Sequence, residues 1–267
     1  MHFTSSILAL AAAFCALSST TSASPAAFEG VAHLPRRDQA PVYKTCHKSD
    51  SVALTFDDGP WKWETSIVDQ LDNAGAKGSF FVNGNNYGCI YDNMQVKSLR
   101  HAFNQGHLIG SHGWEHQDFS QLSRDQINTL LHKNEVAFKR ILGVKPLYFR
   151  PPYGNLNDQV LSVLAERGYR GVFLWDKDTE DADGAGVAHG KGVYNSITRN
   201  APKSRLVLNH ETIKATSQTV VPYALQHLSN KGFRLVTATE CNGLGDAPND
   251  WYDFVGGKES RNDKWQC

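Results

Sequence analysis

The chain has 267 residues, of which 40% are hydrophobic and 20% are charged, a composition ordinary for a soluble globular protein. Its 27 basic and 27 acidic residues give a formal net charge of +0, so the overall charge favours neither nucleic acid nor an anionic membrane as a partner. A neutral substrate fits this balance better, and the length suffices for one large domain or two small ones.

The first 37 residues have the pattern of a targeting and processing segment. An apolar run from Ile7 to Leu17 is too short to span a bilayer, and small residues follow it, as in a secretory signal peptide. We therefore predict a signal peptide over residues 1–23. Arg36-Arg37 is similar to a dibasic processing site, which predicts a propeptide over residues 24–37 and a secreted, extracellular domain over residues 38–267.

The stretch Thr55-Phe56-Asp57-Asp58-Gly59-Pro60 places two carboxylates at the end of a predicted buried strand. Gly59-Pro60 is a turn signal, and side chains that diverge within a regular strand can converge where the strand breaks into a loop. A carboxylate pair at such an edge suits a metal ligand beside a general base. The alternative is an Asx-rich turn with no chemical role.

Apolar periodicity and capping residues predict helices that alternate with short strands. The clear helices are Glu64 to Ala74, a helix that begins with the capping box of Ser123 and Gln126 and ends at Gly143, Asn157 to Gly168, and Ser217 to Gly232, with weaker patterns at 93–104 and 193–200. The predicted strands are Val52–Phe56, Ser79–Val82, Leu108–Gly110, Leu147–Phe149, Val172–Leu174, Arg205–Leu208 and Phe233–Val236. This alternation implies βα units in a single domain with a parallel sheet, and so many units favour closure into a barrel.

The candidate site residues share one position, directly after a predicted strand. They are Asp57, Asp58, His112, Arg150, Asp178 and His210. In a βα barrel the loops that follow the strands form one face, and that face carries the chemistry. The sequence therefore predicts that these separate clusters meet in one site.

His112 and His116 are four residues apart, a spacing that lets both imidazoles reach one ion from a single turn. With Asp58 they make two histidines and one carboxylate, a ligand set that leaves coordination positions open for water and substrate. The same set occurs in iron oxygenases, but those have β-sandwich-like barrels, and the βα alternation argues against them.

Two further strand ends complete the predicted chemistry. After the strand at 147–149, Arg150 is placed to orient Asp57 and keep it ionised, and the prolines of Arg150-Pro151-Pro152-Tyr153-Gly154 fix a backbone N–H near Tyr153 toward an oxyanion. His210, with Leu208 on the same strand face, suits a general acid beside a small apolar pocket. Each of these residues also has an interpretation without a chemical role. Arg150 would lie in a rigid loop with a structural salt bridge, Asp178 in a solvated acidic loop, and His210 would be an ordinary strand-end histidine.

Four cysteines follow the predicted signal peptide. Cys46, Cys89, Cys241 and Cys267 form an even count in a predicted secreted chain, so we expect two disulfides, and four cysteines permit three pairings. None of them has CxxC spacing, which argues against a thiolate metal site.

These motifs, in this order, resemble the carbohydrate esterase family four polysaccharide deacetylases, the NodB-homology domain. The resemblance spans about Cys46 to Tyr252 and is greatest to fungal chitin deacetylases. It implies a single-domain distorted (β/α) barrel, which we expect to have seven parallel strands, and one divalent metal, zinc with cobalt or manganese as substitutes. Two positions depart from the family pattern: Gly113 stands where the family usually has Ser or Thr, and Ala182 where it usually has an aromatic residue.

The resemblance also implies a role for each site residue. Asp57 is the general base, Asp58, His112 and His116 are the metal ligands, Arg150 positions Asp57, His210 is the general acid with a pKa tuned by Asp178, Tyr153 offers its backbone N–H to the oxyanion, and Leu208 lines the acetyl pocket. The resemblance pairs Cys46 with Cys241, which leaves Cys89 with Cys267.

The expected reaction is hydrolysis of N-acetyl groups from β-1,4-linked N-acetylglucosamine in chitin or chitosan oligosaccharides, giving acetate and a free amine. We expect a monomer with no nucleic-acid or membrane partner. Substrate contacts are expected from Leu208, Pro152 and Tyr153 and, by stacking on sugar rings, from Trp61, Trp63 and Trp114, for which core packing is the alternative. O-deacetylation of xylan and a non-catalytic effector that binds chitin oligomers are the other functions consistent with the sequence.

Overall fold

The computed structural model describes residues 38–199 and 204–267, so the predicted signal peptide and propeptide, residues 1–37, lie outside the described residues. The strands are β1 (Val42–Tyr43), β2 (Ser51–Gly59), β3 (Ser79–Val82), β4 (Leu108–Ser111), β5 (Val144–Pro146), β6 (Tyr148–Phe149), β7 (Gly171–Phe173), β8 (Lys177–Asp178), β9 (Arg205–His210), β10 (Arg234–Leu235) and β11 (Tyr252–Phe254). The helices are α1 (Glu64–Asn73), α2 (Asn93–Asn104), α3 (Arg124–Leu142), α4 (Asp158–Glu166), α5 (Gly186–Arg199), α6 (Val221–Ser229), α7 (Ala238–Cys241) and α8 (Pro248–Trp251).

Nine strands form one parallel sheet in the order β1-β7-β6-β4-β3-β2-β9-β8, with β10 also paired to β2. The sheet curls into a half-barrel flanked by helices, which confirms the predicted distorted (β/α) barrel. Among the described residues no pairing joins β1 to β8, so the half-barrel stays open at these two edges.

The seven predicted strands are all present, and two more extend the parallel sheet at its edges. β1 and β8 have two residues each and are only partly buried, so neither lies in a buried apolar run of the sequence. A separate antiparallel pair, β5 and β11, packs the C-terminal segment onto the chain after α3.

The helix boundaries follow the capping chemistry. The Ser123 and Gln126 capping box precedes α3, and Gly143 ends it in the left-handed conformation with φ of 79°. The helix predicted from Ser217 differs at its start, because a π-helical turn at Thr216–Val220 precedes α6. Pro222 lies in the first turn of α6, where its missing N–H leaves no helical hydrogen bond unmade.

β2 is the central strand and its nine residues are all buried. A strand covered on both faces carries a nearly continuous apolar run, which is why Ser51-Val52-Ala53-Leu54 lacks alternation. Its neighbours β3 and β9 run parallel to it, so Asp57 comes level with Phe81 on one side and His210 on the other. The carboxyl ends of these strands therefore meet at one edge of the sheet.

Two disulfides join distant parts of the chain: Cys46 to Cys241 and Cys89 to Cys267. These are the pairs that the family resemblance implies. The first closes a loop of 195 residues and lies beside the backbone hydrogen bonds from His47 and Lys48 to the carbonyl of Cys241. None of the helices in the described part of the chain is long and apolar enough to cross a membrane.

We predict that replacing Cys46 and Cys241 together by serine lowers the free energy of unfolding by about 2–5 kcal/mol, because the unfolded chain regains the freedom that the cross-link removes. Urea unfolding of the double variant and of the unmodified protein measures this difference. Ser123→Ala serves as the reference for a local change and should cost about 1 kcal/mol. A double variant as stable as the unmodified protein would contradict the prediction.

Candidate active site

A bulge at the end of β2 brings two adjacent carboxylates to one side of the strand. The register with β3 shifts between Asp57 and Gly59, and Asp58 takes the left-handed conformation with φ of 73°. As a result, Asp57 Oδ2 lies 3.8 Å and Asp58 Oδ1 3.7 Å from the same atom, Nε2 of His112. Both side chains are buried, so the predicted convergence of the pair at the strand end is present.

Asp58, His112 and His116 form a group able to hold one metal ion, with one ligand atom of each within 4.8 Å of the others. The segment after β4 is a loop and not a helical turn: Gly113 and His116 have positive φ, and this path brings the two imidazole rings to 5.0 Å. Nδ1 of His112 donates to the backbone oxygen of Arg150 at 2.7 Å, which leaves Nε2 free of a proton and available to a metal. Burial lowers the pKa of His112 to about 3, which also favours the neutral ligand form. The donor set therefore fits a divalent metal.

Gly113, which departs from the family pattern, has a steric reason to be glycine. Its φ is 78°, and a Cβ there would lie 2.7 Å from the Phe119 ring. The loop between the two histidines thus passes too close to Phe119 to carry a side chain at this position.

Arg150 is fully buried and is hydrogen-bonded to Asp57. Its Nη1 donates to Asp57 Oδ1 at 2.8 Å and to Thr55 Oγ1 at 2.7 Å, and its other donors reach the backbone oxygens of Phe173 and Leu174. Burial raises the pKa of Asp57, and the Arg150 guanidinium opposes that rise. This geometry agrees with the expectation that Arg150 orients Asp57.

Asp181, and not Asp178, pairs with His210. Nδ1 of His210 donates to Asp181 Oδ1 at 2.7 Å, while Asp181 Oδ2 accepts from the His210 backbone N–H and from the Thr216 hydroxyl. The expected pairing with Asp178 is therefore wrong: its Oδ1 instead accepts from the Glu180 N–H at 2.8 Å. The loop after β8 turns back at Glu180, whose φ is 50°, and this turn brings the later carboxylate to the ring.

The contact between Asp181 and His210 shifts the pKa values of the two side chains in opposite directions. Burial lowers the pKa of His210, but the hydrogen bond and negative charge of Asp181 outweigh it and raise the pKa to about 9. Burial raises the pKa of Asp181, and its hydrogen bonds to His210 and Thr216 bring it below the ordinary value. His210 is therefore a cation near neutral pH, with Nε2 left to act as a proton donor.

These side chains surround one cleft of about 300 Å³. Its lining residues are Asp57, Asp58, His112, His116, Tyr153, Trp175, Asp178, Glu180, Ala182, Asp183, Leu208 and His210. Every predicted catalytic and metal-binding residue except Arg150 lines the cleft, and Arg150 is hydrogen-bonded to Asp57. Leu208 contributes an apolar wall, and Tyr153 is 63% exposed with its ring 4.7 Å from that of His116.

Two expected substrate contacts lie elsewhere. Trp114 is only 5% exposed and packs against Tyr91 and Gly84 in the core, so the structure favours core packing over sugar stacking. Pro152 is buried and is not among the residues that line the cleft. Trp61 is half-buried, with its ring 6.0 Å from that of the exposed Tyr87.

Two asparagines that were not predicted from the sequence support the metal-binding group. Asn83 Nδ2 donates to the backbone oxygen of His112 at 2.6 Å, and Asn86 Nδ2 donates to Asp58 Oδ1 at 3.2 Å and to Asn83 Oδ1. Asn83 comes directly after β3, so the strand-end rule that selected the other residues also applies to it. Asn86 lies further along the loop and carries no comparable signal.

The known proteins that are similar to this chain are described as deacetylases. A family model described as polysaccharide deacetylase matches residues 44–172. A chitin deacetylase of Pestalotiopsis sp is 35% identical over 215 residues, covering 80% of this chain and 70% of that protein. A chitin deacetylase of Colletotrichum lindemuthianum is 34% identical over 261 residues, covering 94% and 99%. A solved chitin deacetylase structure from the latter fungal pathogen has a TM-score of 0.74 at 30% identity, covering 80% of this chain and 96% of that one.

We predict that Asp181→Asn lowers the pKa of His210 from about 9, because the effect of burial is then opposed only by the more distant charges of Asp57 and Asp58. Titration of the His210 ring by NMR measures it. Asp178→Asn is the matched control and should move the pKa much less, since Asp178 acts on His210 only through its charge. A larger shift in the Asp178 variant would restore the sequence-based pairing.

We predict that Trp114→Ala lowers the free energy of unfolding by about 3–5 kcal/mol, as expected for a buried tryptophan. Urea unfolding measures the loss, and Trp61→Ala, at a half-buried position, should cost less. If Trp114→Ala kept its stability but lost oligosaccharide affinity, the stacking interpretation would be right.

Proposed function

The chain belongs to the polysaccharide deacetylase family, and we propose that it is a secreted, metal-dependent enzyme that removes N-acetyl groups from chitin or chitosan oligosaccharides. The observation that carries the proposal is the position of Asp57, held by Arg150, beside the Asp58, His112 and His116 group. The chitin deacetylases similar to this chain support the substrate class. The two disulfides fit an extracellular protein.

Asp58, His112 and His116 would hold one divalent metal, for which zinc is our first choice and cobalt or manganese are substitutes. When bound, the metal supplies Lewis acidity at the acetyl carbonyl and a lowered pKa for water. The protein's part is to keep His112 neutral and oriented through its Nδ1 hydrogen bond, and to hold the Asp58 carboxylate through the Asn86 contact.

Asp57 is proposed as the general base. Arg150 donates a hydrogen bond to Oδ1 of Asp57. Oδ2, which lies 3.8 Å from Nε2 of His112, is the atom that would accept the proton of the attacking water. Burial raises the pKa of Asp57 and the buried Arg150 guanidinium opposes part of that rise, so the pKa stays above its ordinary value and Asp57 is a stronger base than a free aspartate.

His210 is proposed as the general acid. An amide nitrogen leaves poorly unless it is protonated, and Asp181 keeps His210 charged and its Nδ1 occupied, so Nε2 would deliver the proton. Deacetylation would then end with acetate and a free amine. Leu208 would contact the acetyl methyl, and the backbone N–H of Tyr153 would stabilise the oxyanion.

We predict that acetate release from chitin tetramer disappears when a chelator strips the protein and returns when zinc is added back. Asp57→Asn should lower turnover by roughly 10²–10⁴-fold while zinc still binds, since it removes the base and leaves the ligands. Glu115→Gln, an exposed residue between His112 and His116, is the control and should change neither quantity.

Other outcomes distinguish the alternatives. Release from acetylated xylan alone would indicate O-deacetylation. Binding of chitin oligomers without acetate release, with metal loaded, would indicate a non-catalytic effector and contradict the proposal.

A further inference from the structure

Two buried glutamates lie outside the lining of the cleft, and the proposed mechanism uses neither. Glu64 begins α1 and Glu211 directly follows His210, and both side chains are 0% exposed. Burying a carboxyl group is costly unless its oxygens find partners, so a pair of this kind beside an active site calls for a physical reason.

Glu211 contacts the backbone of the segment that follows the Asp57–Asp58 pair. Its Oε1 accepts the backbone N–H of Trp61 at 2.8 Å, and its own N–H donates to the backbone oxygen of Asp57 at 3.3 Å. A Cβ placed at Gly59 would lie 1.9 Å from Glu211 Oε1, so the carboxyl group rests directly against the chain there. Glu211 thus touches the segment on both sides of Asp58.

That segment needs an external restraint. Asp58 lies at a β-bulge with φ of 73°, a conformation that costs a non-glycine residue of order 1–3 kcal/mol and persists only where the surroundings impose it. The same bulge sets the directions of the Asp57 and Asp58 carboxylates. A contact that restrains the backbone at residues 59–61 therefore helps to keep both carboxylates in position, together with the hydrogen bond from Arg150 to Asp57.

Glu64 is the neighbouring acidic group whose charge acts on Glu211. Its Oε2 accepts the Ser98 hydroxyl at 3.0 Å, and in the described part of the chain Glu64 Oε1 and Glu211 Oε2 have no hydrogen-bond partner. Burial, followed by the charge of Glu64, raises the pKa of Glu211, and burial raises the pKa of Glu64 to about 8.

We propose that Glu211 is a positioning residue for the Asp57–Asp58 pair, and that it acts through its contacts with the backbone at Asp57, Gly59 and Trp61. This inference rests on the proposed function for the roles of the two aspartates, but the contacts that carry it belong to the fold.

Two substitutions of Glu211 separate hydrogen bonding from charge. In Glu211→Gln the amide oxygen still accepts from the backbone N–H of Trp61, so turnover and zinc affinity should stay close to those of the unmodified enzyme. Glu211→Asp keeps the carboxyl group but is one methylene shorter and does not reach Trp61. It should lower kcat on chitin tetramer by about 10–100-fold with KM little changed, and weaken zinc binding by a similar factor.

The measurements are kcat and KM at a temperature where every variant is folded, and zinc affinity by competition with a chromophoric chelator. Glu115→Asp is the matched control for shortening an exposed glutamate by one methylene, and it should change none of these quantities. The result that supports the proposal is loss in Glu211→Asp and retention in Glu211→Gln.

Two results would overturn it. One is a folded Glu211→Asp variant with unchanged kcat and zinc affinity and only a lower Tm, which is the signature of a purely structural role. The other is equal loss in Glu211→Gln and Glu211→Asp. If the unmodified protein released no acetate from chitin tetramer, the proposed function would fail, while the order of zinc affinities would still test the positioning role.

Discussion

The buried side chain of Arg150 is the constraint on which the rest of the site depends. Its guanidinium is surrounded by protein and makes four hydrogen bonds, to Asp57, to Thr55 and to the backbone oxygens of Phe173 and Leu174, which offset the desolvation of the charge. Its backbone oxygen also accepts from Nδ1 of His112. One residue therefore fixes the position of the candidate base and the tautomer of a candidate metal ligand, and links three strand ends while doing so.

Around this centre the fold gives its titratable groups contrasting environments. Asp57 is buried beside a cation, while His210 is buried beside an anion, Asp181, whose hydrogen bond raises the pKa of the imidazole to about 9. Groups that face the same cleft are thereby suited to accept and to donate a proton at one pH, which is the division of roles that amide hydrolysis requires. The separation arises from the charged partner that each strand end meets, Arg150 for Asp57 and Asp181 for His210.

Much of the fold and of the site could be predicted from local patterns. The capping box at Ser123, the left-handed Gly143 and the strand at 79–82 follow from the chemistry of adjacent residues, and the rule that chemistry lies after parallel strands located the site. The errors occur where the chain turns back on itself. Asp178 is nearer in sequence to its strand than Asp181, but the turn at Glu180 reverses their order in space.

The sequence by itself determined the alternation of strands and helices, the identity of the metal-binding group and the edge of the sheet where it forms, because these depend on short-range periodicity and on side-chain chemistry. Only the tertiary structure decided which carboxylate meets His210, that Trp114 belongs to the core and that Glu211 lies against Gly59. Each of these is a contact between segments far apart in the chain, set by loop paths and close packing. Such contacts leave no periodic signal, since any of several polar or aromatic residues in the same loop satisfies the local pattern equally well.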